Sequence, residues 1–73
     1  MVFEKIRDII ADKIEVDPEV ITGESSFEDL KVDSLYMVEI MLSVEEEFNI
    51  TIDDAEGIET VDDIVSYVES RLN

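Results

Sequence analysis

The stretch Asp33-Ser34-Leu35-Tyr36-Met37-Val38-Glu39-Ile40-Met41-Leu42-Ser43-Val44-Glu45-Glu46-Glu47-Phe48 decides how this chain folds. It holds neither proline nor glycine, and its apolar residues recur at intervals of three and four. Ile40, Met41, Val44 and Phe48 make one stripe; Leu35, Val38 and Leu42 make a second beside it. That spacing predicts an amphipathic helix from about Ser34 to Phe48. Together the two stripes form an apolar arc wider than a small bundle needs to bury. A strip left exposed beside Glu39, Glu45 and Glu46 would suit a partner that is apolar at its centre and basic around it. The alternative, that every apolar residue belongs to the core, stays open.

The start of this helix carries the functional signal. Asp33 is the better cap, because its carboxylate reaches amides one turn in. Ser34 is then a hydroxyl presented at the exposed first turn, where free N–H groups and the positive end of the helix dipole favour an anion such as a phosphate. Serine is also common at helix starts simply as a cap, so both readings stand. The chain has no histidine and no cysteine, so the usual activators of a serine nucleophile are missing. A presented but unactivated serine points to modification by another enzyme.

Working outward, Phe3, Ile6, Ile9, Ile10 and Ile14, interrupted by Lys13, predict a first helix from about Val2 to Glu15, ended by Asp17-Pro18. Residues 17–33 read as a long connection with turn formers Thr22, Gly23, Ser25 and Ser26. Its apolar members Val20, Ile21, Phe27 and Leu30 are expected to pin it to the core. Asn49-Ile50-Thr51-Ile52 has β-branched isoleucines but no second strand to pair with, so a loop is expected, then at most one helical turn near Asp53 to Glu56. Gly57 ends that turn, and Thr60-Val61-Asp62-Asp63 resembles a capping box with Asp in place of Glu. It opens a last helix with Val61, Ile64, Val65, Val68 and Leu72 on one face. The expected architecture is an all-α four-helix bundle: three main helices, one short helix and a long first loop, in a single domain over 1–73.

Seventy-three residues bury only roughly 60% of the surface their unfolded chain exposes, which leaves no room for a core plus a deep active site. With no cysteine the fold rests on apolar packing and suits a cytoplasmic location. No window approaches a membrane span, and the acidic N-terminus lacks the pattern of a signal peptide. Twenty-one acidic against five basic residues give a net charge of −16, which argues against nucleic acid and anionic membranes as partners. Lys5, Arg7, Lys13 and Lys31 precede Val32, and Arg71 stands near the end; between Val32 and Ser70 there are twelve carboxylates and no cation. Such a half repels itself and attracts basic protein surfaces. Asp53-Asp54-Ala55-Glu56-Gly57 lacks the ligand spacing of a calcium loop. No metal site and no enzymatic activity are expected.

Read together, these segments resemble the acyl carrier protein family. The likeness covers nearly the whole chain. It runs from Ile14-Glu15-Val16-Asp17-Pro18, through Ser26-Phe27-Glu28-Asp29-Leu30 and Val32-Asp33-Ser34-Leu35, to Val38-Glu39-Ile40, Glu45-Glu46-Glu47-Phe48 and Ile58-Glu59-Thr60-Val61. The resemblance implies that Ser34 carries 4′-phosphopantetheine, transferred from coenzyme A by a separate phosphopantetheinyl transferase. The arm's thiol would hold acyl groups as thioesters for fatty-acid or related acyl-chain synthesis enzymes with basic docking surfaces, the carrier acting as a monomer. By the same likeness Asp33, Leu35, Val38, Glu39, Leu42, Glu45 and Glu46 would meet partners. Phe27, Leu30, Met41, Val44 and Ile58 would line a pocket for the acyl chain. Lys31-Val32 stand where the family's bacterial fatty-acid members usually read Gly-Ala, and Tyr36 where they usually place an acidic residue. A specialised carrier for polyketide, aminoacyl or D-alanyl transfer, or an unmodified acidic protein-binding domain, remain the alternatives.

Overall fold

A computed structural model describes residues 1–53 and 57–72. Helix α1 spans Val2–Ile14 and buries Ile6, Ile10 and Ala11. Its end comes before Asp17-Pro18. The amides of Glu15 and Val16 both donate to the Ala11 carbonyl, and Glu15 takes a left-handed conformation with φ 58°. Paired bonds of this kind satisfy carbonyls that a helix terminus leaves bare. Asp17-Pro18 instead starts a 3₁₀ turn, Pro18–Val20, in which the Asp17 carboxylate accepts the Glu19 amide at 2.9 Å.

The connection that follows is tied down at both ends of its apolar content. Ile21 and Phe27 are buried and Leu30 packs partly against the core, but Val20, expected as an anchor, is 60% exposed. Val20 lies in the 3₁₀ turn, whose three residues bury none of their number. Backbone bonds stitch the connection to the start of the last helix. The Phe27 amide donates to Glu59 O (3.0 Å), the Val61 amide to Ser25 O (3.0 Å) and the Asp62 amide to Gly23 O (2.9 Å). A Cβ at Gly23 would meet the exposed Asp62 carboxylate, which would have to swing aside. Ser26 and Thr60 form an isolated antiparallel bridge, and no strand occurs among the described residues.

Helix α2 runs Ser34–Phe48, the bounds its periodicity predicted. Asn49 (φ 55°) closes it in the left-handed region, with the amides of Asn49 and Ile50 both donating to the Glu45 carbonyl. Helix α3 spans Val61–Leu72 and buries Val61, Ile64 and Val68, with Val65 partly covered and Leu72 exposed. Its capping box is formed: Thr60 Oγ1 accepts the Asp63 amide (3.3 Å), while Asp63 Oδ2 accepts the amides of Thr60 (3.0 Å) and Glu59 (2.8 Å). These two backbone donors, Glu59 first, hold the Asp63 carboxyl below its ordinary value.

Helix α1 packs against both α2 and α3. All the buried residues among those described are apolar, led by Ile6, Ile10, Ile40, Val44, Val61, Ile64 and Val68, each fully enclosed. The fold is therefore all-α, with three main helices and a short helical turn in the first connection. The short helix expected near Asp53 to Glu56 falls mostly on residues 54–56, outside the described residues.

Candidate functional site

Ser34 is the first residue of α2 and is exposed. The capping role belongs to Asp33, whose Oδ1 accepts the Tyr36 amide at 2.9 Å and whose carbonyl accepts the Met37 amide at 2.9 Å. Among the described residues no hydrogen bond engages the Ser34 hydroxyl, nor the amides of Ser34 and Leu35. A free hydroxyl and unclaimed first-turn amides on a helix of 15 residues fit a covalently held phosphate, which such amides and the helix dipole stabilise. Three residues upstream, Lys31 adopts φ 60°. A glycine is cheapest in that conformation, which gives a physical reason for the glycine that the resemblance places there.

Leu35, Val38 and Leu42 project from α2 at 69%, 55% and 54% exposure. The second stripe thus remains on the surface while Ile40, Met41 and Val44 fill the core. Glu39 and Glu46 are exposed around it. Glu45 is different: it is half-buried, and its Oε2 accepts the Ile52 amide at 2.7 Å. Its carboxylate is committed to the loop after α2. Glu47 pairs with Lys5 of α1 at 3.4 Å.

Among the described residues, the five expected to line an acyl pocket border different hollows or none. Phe27 and Ile58 border a hollow of about 410 Å³ with Ser26, Glu28, Glu59 and Thr60. Met41 belongs to a separate groove of about 300 Å³ along the exposed strip, formed with Met37, Val38, Leu42, Glu45 and Ile52, and reaching Asp53. Val44 is sealed in the core, and Leu30 packs on its margin. Met37 and Ile52 were not expected in this lining. The spacing of Met37 and Met41, one turn apart on a helix, was the available signal for the first; nothing local marks Ile52.

The family profile described as the phosphopantetheine attachment site matches residues 4–68. An acyl carrier protein from Clostridium acetobutylicum is 48% identical, the alignment covering 97% of this chain and 96% of the relative. The chain belongs to the acyl carrier protein family. Members from Thermosynechococcus vestitus, at 42% identity over 97% of this chain and 91% of the relative, and from Lactococcus lactis, at 44% over 96% of each, are similarly close. Its cofactor is 4′-phosphopantetheine, and it is a carrier, not a catalyst. Family membership also brings interaction with a phosphopantetheinyl transferase and with synthesis enzymes. No helix among the described residues is long and apolar enough to cross a membrane.

Proposed function

We infer that Ser34 is the residue that carries 4′-phosphopantetheine, and that the chain delivers acyl groups to the enzymes of fatty-acid or related acyl-chain synthesis. The observation that supports this most directly is the division of labour at the start of α2. Asp33 satisfies the cap through Tyr36, which leaves the Ser34 hydroxyl exposed and uncommitted. The unclaimed amides of Ser34 and Leu35 are suited to receive the phosphate oxygens. When attached, the arm supplies a thiol that holds cargo as a thioester, chemistry that a chain without cysteine cannot supply itself. Ser34 acts only as the acceptor hydroxyl, its deprotonation falling to the transferase.

The docking surface in this reading is the strip Leu35, Val38 and Leu42, flanked by Asp33, Glu39 and Glu46, with Glu45 acting at its edge. An apolar centre with a carboxylate rim matches basic partners, whose approach the negative field accelerates. The groove along the strip, with Met41 and Met37 in its lining, is the recess for an aliphatic chain folding back from Ser34. The carrier works as a monomer in the cytoplasm, in keeping with a chain that needs no disulfide.

Intact mass after incubation with coenzyme A and a phosphopantetheinyl transferase tests the assignment. One phosphopantetheine is gained by the native chain and none by Ser34→Ala, whose helical circular dichroism stays the same because Asp33 still caps α2. A mass gain that persists in Ser34→Ala overturns it.

A further inference from the structure

Two consecutive amides after α2 are taken by side chains from opposite walls. Ile52 N–H donates to Glu45 Oε2 on α2 at 2.7 Å, and Asp53 N–H donates to Tyr67 Oη on α3 at 3.1 Å. Arg71, one turn beyond Tyr67, completes the arrangement. Its Nη2 donates to Tyr67 Oη at 2.8 Å and stands 3.5 Å from the Asp53 carboxylate, and its guanidinium carbon lies 4.9 Å from the centre of the Tyr67 ring. Segment 50–53 is thereby strung between α2 and α3.

The segment also walls the groove that contains Met37 and Met41. At about 300 Å³ this groove is at the lower end of small-molecule sites. Methionine is unbranched and repacks readily, so the floor is adaptable. The wall is held by partial packing of Ile50 and Ile52 on the core and by polar contacts of modest individual strength, those of Tyr67 and Arg71 exposed. Displacing the wall would enlarge the groove.

We propose that Glu45, Tyr67 and Arg71 are positioning residues that latch segment 50–53 as the movable wall of this groove, and that release of the Asp53 amide from Tyr67 admits longer aliphatic cargo. The proposal rests on the acyl-carrier reading given above, and adds which residues set the length of chain the groove accepts. The three act through the wall and need not touch the cargo.

Tyr67→Phe removes the hydroxyl acceptor and keeps the ring under Arg71. In the unmodified protein, exchange of the Asp53 amide is expected to rise about tenfold, while amides of Ile10 and Ile40 stay protected. After loading with butyryl, octanoyl and dodecanoyl groups, the methyl resonances of Met37 and Met41 report entry of the chain. Resistance of the thioester to hydroxylamine reports its shielding. The variant should shield dodecanoyl severalfold better, relative to butyryl, than the native chain does. Arg71→Gln, which leaves the hydroxyl in place, should shift both readouts in the same direction by less. Unchanged exchange at Asp53, or an identical length profile in native and variant proteins, overturns the latch. A native chain that gains no mass with coenzyme A and transferase instead overturns the acyl-carrier reading and the cargo role with it, a result separable from the exchange data on the unmodified protein.

Discussion

The connection after α1 and the segment after α2 leave their helices by the same geometry but with different residues. Glu15 and Val16 donate to the Ala11 carbonyl, just as Asn49 and Ile50 donate to that of Glu45. In each case the first residue is left-handed, at φ 58° for Glu15 and 55° for Asn49. Asparagine tolerates that conformation, and Gly57 (φ 86°) later in the second segment tolerates it fully. Glu15, and Lys31 (φ 60°) towards the far end of the first connection, each cost about 1–2 kcal/mol there. That cost is offset by burial: Ile21 and Phe27 contribute about 1.5–3 kcal/mol each, and backbone bonds fix the connection to α3. The second segment is held differently: Ile50 and Ile52 pack only partly on the core, and the Glu45 and Tyr67 side chains take its amides. One connection is anchored by fully buried residues, the other by the partly buried Ile50 and Ile52 together with side-chain hydrogen bonds.

The largest expected effect breaks the first anchor. Phe27→Ala should cost about 3–5 kcal/mol. That is a large share of the roughly 4–11 kcal/mol available to a domain this size, and the urea midpoint should fall sharply. Next comes Gly23→Ala, whose methyl would meet the Asp62 carboxylate. The exposed carboxylate can rotate away, so a loss of about 0.5–1.5 kcal/mol is expected, the cost of a displaced rotamer. If the collision is the cause, Asp62→Ala restores most of it in the double variant, and a purely additive cycle would remove that explanation.

The junction between the first connection and α3 also sets a pH dependence. Asp63 accepts amides from Glu59 and Thr60, which lower its carboxyl pKa in the folded state from 3.8. A folded-state value below the unfolded one means that the contribution is fully present above about pH 3.8. It is lost as pH falls through the lower, folded value. Asp63→Asn should therefore reduce the melting temperature most near neutrality, with the gap from the native protein closing as the solution is acidified below that point. A gap that stays constant down to pH 3 would separate the cap from the acid response.

Residues that act on near neighbours could be read from the chain. Asp33 as the cap of α2, the ends of that helix, and the Thr60–Asp63 box each depend on contacts within one turn, and the structure forms them as the sequence indicates. The surface stripe Leu35, Val38 and Leu42 was visible as an apolar arc too wide to bury. Glu15 and Lys31 are not legible as left-handed residues, because neither type favours that conformation. The sequence accordingly puts the end of α1 near Glu15 but credits it to Asp17-Pro18, whereas the bonds of Glu15 and Val16 to Ala11 make it. Val20 misled by hydrophobicity alone. The contacts of Glu45 with Ile52 and of Tyr67 with Asp53 join residues brought together only by packing, so no local pattern announces them, and the division of the expected pocket residues between two hollows has the same origin.

The smallest expected effect sharpens the comparison most directly. Glu15→Gly removes the steric cost of a side chain at φ 58°, and also gives the unfolded chain more freedom to lose on folding, which takes back about 0.5–1 kcal/mol. The strain at this position, about 1–2 kcal/mol, is the larger quantity, so the variant should be more stable than the native chain by up to about 1 kcal/mol. Glu15 is exposed, so little packing is lost in the exchange. Asn49→Gly undergoes the same entropic penalty with less strain to relieve, and its net change should be close to zero. Paired urea titrations of the two variants decide the matter. A gain for Glu15→Gly with none for Asn49→Gly supports an exit from α1 made against residue preference and held by the buried anchors beyond it. Equal changes in both would mean that the two exits carry the same strain, and that the difference between the connections lies only in how they are held further along.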